Sequence, residues 1–113
     1  MNVLIVYCGR YAAGGYACPG EWKCFSAANK REGEFAGYDD VRVVGFLSCD
    51  CPGRELIANI GCTKEKADFD AVHLSTCMVK AWPACPYIDM DELAQKITNK
   101  LNVKVVKGTH NYG

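Results

Sequence analysis

Four short runs, Val3–Tyr7, Val41–Leu47, Ala71–Leu74 and Val103–Val106, are close to continuously apolar and rich in Val, Ile, Leu or Phe. Runs of this length without strict alternation predict strands of a parallel sheet covered on both faces. Three segments between them predict helices. Glu21–Phe35 carries Trp22, Phe25, Ala28 and Phe35, with Lys30, Arg31 and Glu32 as a wet face. Pro52–Ala67 holds Leu56, Ile57 and Ile60, weakened by Gly61 and Thr63. Met90–Leu101 repeats Leu93, Ile97 and Leu101 at four-residue spacing with Gln95, Lys96 and Lys100 opposite. Asp89 or Asp91 is placed to cap its start. The order β-α-β-α-β-α-β predicts right-handed crossovers. The expected architecture is α/β: one small three-layer domain over residues 1–113, with a four-stranded parallel sheet in the flavodoxin-like order 2-1-3-4.

Composition narrows the partners. Thirteen Lys and Arg balance thirteen Asp and Glu, so the basic excess of a nucleic-acid or acidic-membrane binder is missing. No stretch approaches the ~20 apolar residues of a membrane span. Val3–Tyr7 is too short, and lacks the basic segment, to act as an export signal. A cytoplasmic protein is expected, with no nucleic-acid or membrane partner; a protein partner or homodimer stays open.

Eight cysteines in 113 residues change the picture. In a reducing compartment they point to metal binding or redox chemistry before a disulfide framework. Cys18, Cys51 and Cys85 each precede a proline. Proline favours the first helical position, so Cys18 and Cys51 are expected at helix starts, where the dipole and free amides favour a thiolate.

Most of the sulfur falls where strands end. Cys8 follows the first predicted strand, Cys49 and Cys51 the second, Cys77 the third, and His110 the fourth. In a parallel sheet these ends share one edge, with neighbouring strands only ~4.8 Å apart, and open α/β sheets bind ligands there. The loops Gly9–Gly20 and Cys77–Asp89, the latter carrying Cys85, are expected to cover that edge. Cys24, on the first predicted helix, is either a ligand or a small buried hydrophobe. Cys62 reads as core packing, His73 as a hydrogen-bonded structural histidine or a site residue, and Arg54 as an anion holder or a solvated surface group.

The segment from Phe46 through Ser48-Cys49-Asp50-Cys51-Pro52-Gly53 to Arg54 resembles the central motif of the CGGC-domain family. The likeness continues in Cys18-Pro19-Gly20 with Cys24, in His73 to Met78, in Cys85 to Asp89, and in Gly108-Thr109-His110. The resemblance implies a cysteine- and histidine-rich domain that binds zinc or another metal and has no established reaction. The name-giving Cys-Gly-Gly-Cys is absent: Cys51 matches its second cysteine, while Ser48 stands at the place of the first and Cys49 one residue later. The leading expectation is a metal site of zinc, or of an iron–sulfur cluster, drawn from Cys8, Cys18, Cys24, Cys49, Cys51, Cys77, Cys85 and His110. Two alternatives stand beside it: a thiol-disulfide redox protein using Cys51 with a neighbouring cysteine, and an interaction module with a structural metal.

Overall fold

The structure is a computed structural model and describes residues 1–13, 23–80 and 84–110. Four strands, β1 (Asn2–Cys8), β2 (Arg42–Cys49), β3 (Ala71–Leu74) and β4 (Lys104–Lys107), form one sheet in the order β2-β1-β3-β4. Every pairing is parallel, so the expected 2-1-3-4 topology is observed. The apolar runs mark the interior: Val3 to Val6 and Ala71, Val72 and Leu74 are fully buried.

Helices cover both faces. On one face α3 (Leu56–Lys66) and α5 (Met90–Leu101) bury Leu56, Ile60, Leu93 and Ile97 against Leu4, Val6, Val72 and Leu74. On the other face α2 (Lys23–Lys30) buries Cys24, Ala27 and Ala28 with Val3, Ile5, Phe35 and Ala71. Two short helices follow strand ends: α1 (Gly9–Ala13) after β1 and α4 (Thr76–Val79) after β3. The sequence reading placed loops there. Among the described residues, no helix is long and apolar enough to cross a membrane.

Two predicted helices are shorter than expected, each for a local reason. The one expected over Glu21–Phe35 stops at Lys30. Arg31 enters the left-handed region (φ 55°), and the amides of Arg31 and Glu32 return to the carbonyls of Ala28 and Ala27. That arrangement closes a helix C-terminus. A 3₁₀ turn at Gly33–Phe35 follows. The helix expected from Pro52 begins only at Leu56, because Gly53 adopts φ +80° in the preceding turn. Cys51 therefore does not sit at a helix start, and the dipole argument for its thiolate is withdrawn.

α5 is closed at both ends. The Asp89 carboxylate accepts from the amides of Asp91 (2.9 Å) and Glu92 (3.0 Å), and Asn102 supplies a left-handed C-cap. Asp89→Ala is expected to cost about 1 kcal/mol in urea denaturation.

The ladder between β1 and β2 contains an irregularity that positions the site. Val3 pairs with Val43 but Leu4 pairs with Gly45, so Val44 is an extra residue on β2. Side chains alternate faces along a strand, and one extra residue reverses the alternation. Before the bulge Val41 and Val43 pack on the α2 face; after it Phe46 does, while Leu47 and Cys49 face α3 and α5. Gly45 accommodates the bulge, since a Cβ there would lie 2.6 Å from Leu4 Cδ1. Beyond the bulge, Cys8 pairs with Cys49, the last residues of their strands, with both side chains on the α3/α5 face.

Candidate functional site

The strand order reverses direction at β1, which sends its connection one way to β2 while β3 sends its own the other way to β4. Such switch points open a crevice at the carboxyl ends of the strands. A cavity of about 320 Å³ lies there, lined by Cys8, Cys49, Cys51, Cys77 and Cys85. β1 and β2 end on Cys8 and Cys49, and α4, just after β3, brings in Cys77. Cys51 comes from the turn before α3, and Cys85 from the segment before α5. Pro86, Tyr87 and Ile88 of that segment form a wall, and Tyr11 of α1 faces it. The expected cover by the second loop is thus observed for its described part.

Backbone geometry holds the sulfurs. The Cys8 amide donates to Cys77 Sγ (3.4 Å), the Tyr11 amide donates to Cys8 Sγ (3.4 Å), and the Cys77 thiol donates to Ser75 Oγ (3.4 Å). Gly53 makes room for Cys49: a Cβ at that position would stand 3.2 Å from Cys49 Sγ and 2.6 Å from Ile88 Cδ1. Burial pushes the Cys49 thiol up to about 11, and Cys8, Cys85, Cys51 and Asp50 push the same way. At neutral pH this thiol holds its proton unless a cation offsets the crowding of negative charge.

Both histidines lie away from the sulfur. His73 is fully buried. Its Nδ1 is 3.0 Å from the Gly108 carbonyl, its Nε2 is 2.8 Å from the Tyr38 hydroxyl, and its ring stacks on Phe35. A neutral imidazole satisfies both bonds, with Nδ1–H donating to Gly108 and Nε2 accepting from Tyr38, which makes His73 structural. Burial holds it below the ordinary histidine range; the Gly108 bond opposes this, and Lys104 (downward) and Glu34 (upward) have smaller effects. The unfolded chain therefore takes up the proton more readily, and stability falls as pH drops below ~6.5. Urea midpoints measured from pH 7.5 to 5 should show that decline, and His73→Gln should flatten it.

His110 does not line the cavity. Its backbone amide donates to Thr76 Oγ1 (3.1 Å), its carbonyl accepts from the same hydroxyl (2.6 Å), and its Nδ1 lies 3.0 Å from Thr109 Oγ1. Burial and then Lys23 hold it below the usual histidine range. Cys24 is buried on the opposite face of the sheet, among Val3, Ile5 and Phe35. Cys62, expected to pack in the core, is exposed on α3: the apolar stripe of that helix turns inward through Leu56 and Ile60 instead. Cys18 lies outside the described residues. Arg54 is exposed and does not line the cavity, whereas Arg10, which the sequence reading did not single out, does. Met78 and Met90 also line it and were missed. Their adjacency to Cys77 and to the start of α5 was the available signal.

A model of the CGGC domain matches residues 2–110. The chain belongs to the CGGC-domain family. It is 37% identical over 114 residues to the uncharacterized protein MJ0582 of Methanocaldococcus jannaschii, an alignment covering 97% of this chain and 87% of that protein. No solved structure matches the chain. Within this CGGC domain the motif region forms the end of β2 and the turn before α3. Ser48 donates to Asp50 Oδ1 (2.7 Å) beside Gly9, where a Cβ would stand 2.4 Å from both polar atoms. Cys49 and Cys51 of the motif region enter the cavity.

Proposed function

We propose that this CGGC domain binds a metal ion through cysteine thiolates at the carboxyl edge of its sheet. The observation that carries this reading is the convergence of five cysteines, from two strand ends, the helix α4 and two connecting segments, on one cavity. Burial first, and then the neighbouring thiols, raise the cost of ionising Cys49, and a bound cation offsets that cost while displacing the protons. The donor set is soft and suits zinc, copper or iron–sulfur chemistry in preference to magnesium or calcium. The side chains are not closed around an ion as they stand: among the described residues, no three Cys, His, Asp or Glu side chains form a group that would hold one. Capture of an ion by three or more of them requires the side chains to turn inward from the cavity wall.

Untagged protein purified without oxygen should contain a stoichiometric thiophilic metal, or take one up on reconstitution, as measured by elemental analysis with an absorption spectrum. Substoichiometric zinc, copper and iron that reconstitution leaves unchanged would defeat the reading.

One observation favours a second reading. Cys8 and Cys49 are register partners on adjacent strands with side chains on the same face, and the ~4.8 Å strand spacing falls within the Cα separation of disulfides. Their oxidation would join the two sulfurs and release two protons and two electrons to an acceptor disulfide. Peptide mapping after mild disulfide treatment should then recover a Cys8–Cys49 bridge; a bridge confined to Cys51 or Cys62 counts against it.

A further inference from the structure

The donors that face the cavity say more than that a metal binds. Among the described residues, the lining contains no histidine, aspartate or glutamate. Its candidate ligands are the five cysteine sulfurs and the thioethers of Met78 and Met90. Both described histidines are committed elsewhere: His73 to Tyr38 and Gly108, and His110 to Thr109 beside the Thr76 hydroxyl. Thiolates alone also hold zinc, as in four-cysteine sites, but thioether sulfur beside thiolate is soft enough to suit monovalent copper.

Geometry points the same way. Tetrahedral zinc needs four ligands, and no group of even three stands ready among the described residues. A d¹⁰ monovalent ion is satisfied by two thiolates in a line. With each metal–sulfur bond at about the ~2.3 Å found at zinc, such a unit spans ~4.6 Å. Two side chains leaving adjacent parallel strands from one register position are spaced by ~4.8 Å. Cys8 and Cys49 are such a pair. A linear unit fits between them without drawing the strands together.

Charge completes the argument. Binding converts two thiols to thiolates, releases two protons to solvent, and forms two sulfur–metal bonds with no change of oxidation state. The product carries one net negative charge. Arg10 is the one charged side chain among the described lining residues, and it sits two residues after Cys8, on α1, where a single guanidinium offsets a single excess charge.

We infer that the cavity is a monovalent copper site in which Cys8 and Cys49 are the two thiolate ligands, Met78 and Met90 provide a soft wall, and Arg10 balances the charge. This inference rests on the metal-binding reading above and specifies its ion.

The test uses the full reduced chain without oxygen. Cuprous ion is titrated against bicinchoninate and zinc against a chromophoric chelator, and copper-edge X-ray absorption counts the sulfur neighbours of the loaded protein. The expected result is one copper per chain with two short sulfur contacts, and release of zinc from zinc-loaded protein by one equivalent of cuprous ion. Cys8→Ser and Cys49→Ser should each weaken copper binding by at least ~100-fold, beyond the ~10–100-fold typical of outer-shell changes, while Cys62→Ser leaves it unchanged. Replacing Met78 and Met90 with leucine should weaken copper about 10-fold, at the low end of that outer-shell range, and leave zinc untouched. Copper held by three or more short sulfur contacts, or zinc retained against cuprous ion, would overturn the assignment and leave the metal-binding reading standing. Failure to bind either ion would overturn the assignment, and failure to take up iron on reconstitution as well would overturn the metal-binding reading with it.

Discussion

A Gly53→Ala variant is expected to fold yet hold metal at least ~10-fold more weakly, a change of about 1.4 kcal/mol. Gly53 adopts φ +80° in the turn between Cys51 and α3, so an alanine there costs about 1–2 kcal/mol of folding stability from backbone strain alone. The larger consequence is at the site. The new methyl would stand 3.2 Å from Cys49 Sγ and 2.6 Å from Ile88 Cδ1. Ile88 can swing its terminal carbon aside, but it then shifts the wall of the cavity, and Cys49 must yield by a few tenths of an ångström. A sulfur displaced from its ligand position loses affinity without losing the fold. Gly61→Ala serves as the control. Gly61 lies within α3, where a Cβ meets nothing nearer than Leu101 Cδ2 at 3.9 Å, so this substitution should raise stability by about 0.5–1 kcal/mol and leave metal affinity alone. Denaturation midpoints and chelator competition on the two variants separate strain from site geometry. Equal metal affinity in Gly53→Ala and the parent would show that Cys49 is not a ligand.

Thr76→Val should destabilise the domain by about 1–3 kcal/mol from the buried Thr109 amide that it orphans, with the half-buried His110 amide adding less. The Thr76 hydroxyl accepts from the amides of Thr109 and His110 (both 3.1 Å) and donates to the His110 carbonyl (2.6 Å). Thr76 and Thr109 are essentially without solvent exposure, so water does not replace these bonds. One side chain thereby fastens the segment after β4 to the end of β3, beside Cys77. Valine keeps the shape and removes every bond. Thr76→Ser restores the hydroxyl and should recover most of the loss, with an unchanged urea dependence in all three proteins. A Thr76→Val loss below about 1 kcal/mol would mean that water or a backbone shift replaces the network.

The sheet was legible because its signal is local and redundant. Val3–Tyr7 is an unbroken apolar run and Ala71–Leu74 is interrupted only by His73, and the parallel order follows from helices placed between them. The gathering of Cys8, Cys49, Cys51 and Cys77 was legible for the same reason: cysteines at strand ends must meet if the strands are parallel. What was not legible depends on single residues overriding a local preference. Pro52 argued for a helix start at the motif, and the left-handed Gly53 moved it to Leu56. His110 follows the fourth strand as expected and its backbone is tied to Thr76, yet it does not line the cavity. Met78 and Met90 carry only their adjacency to Cys77 and to a helix start, and Arg10 not even that, because such residues read equally well as packing and as surface. The Val44 bulge was hidden inside a run of similar side chains, with Gly45 its sole mark.

That bulge decides which residue meets Cys8. In an uninterrupted ladder counted from Val3 opposite Val43, Cys8 would face Ser48. The extra residue advances the frame by one, so Cys49 stands there instead. Pairing Val44 with Leu4, with no bulge, would set a hydroxyl opposite Cys8 and turn the Cys49 thiol toward the other face of the sheet. A single unpaired residue outside the cavity thus chooses between oxygen and sulfur at its floor.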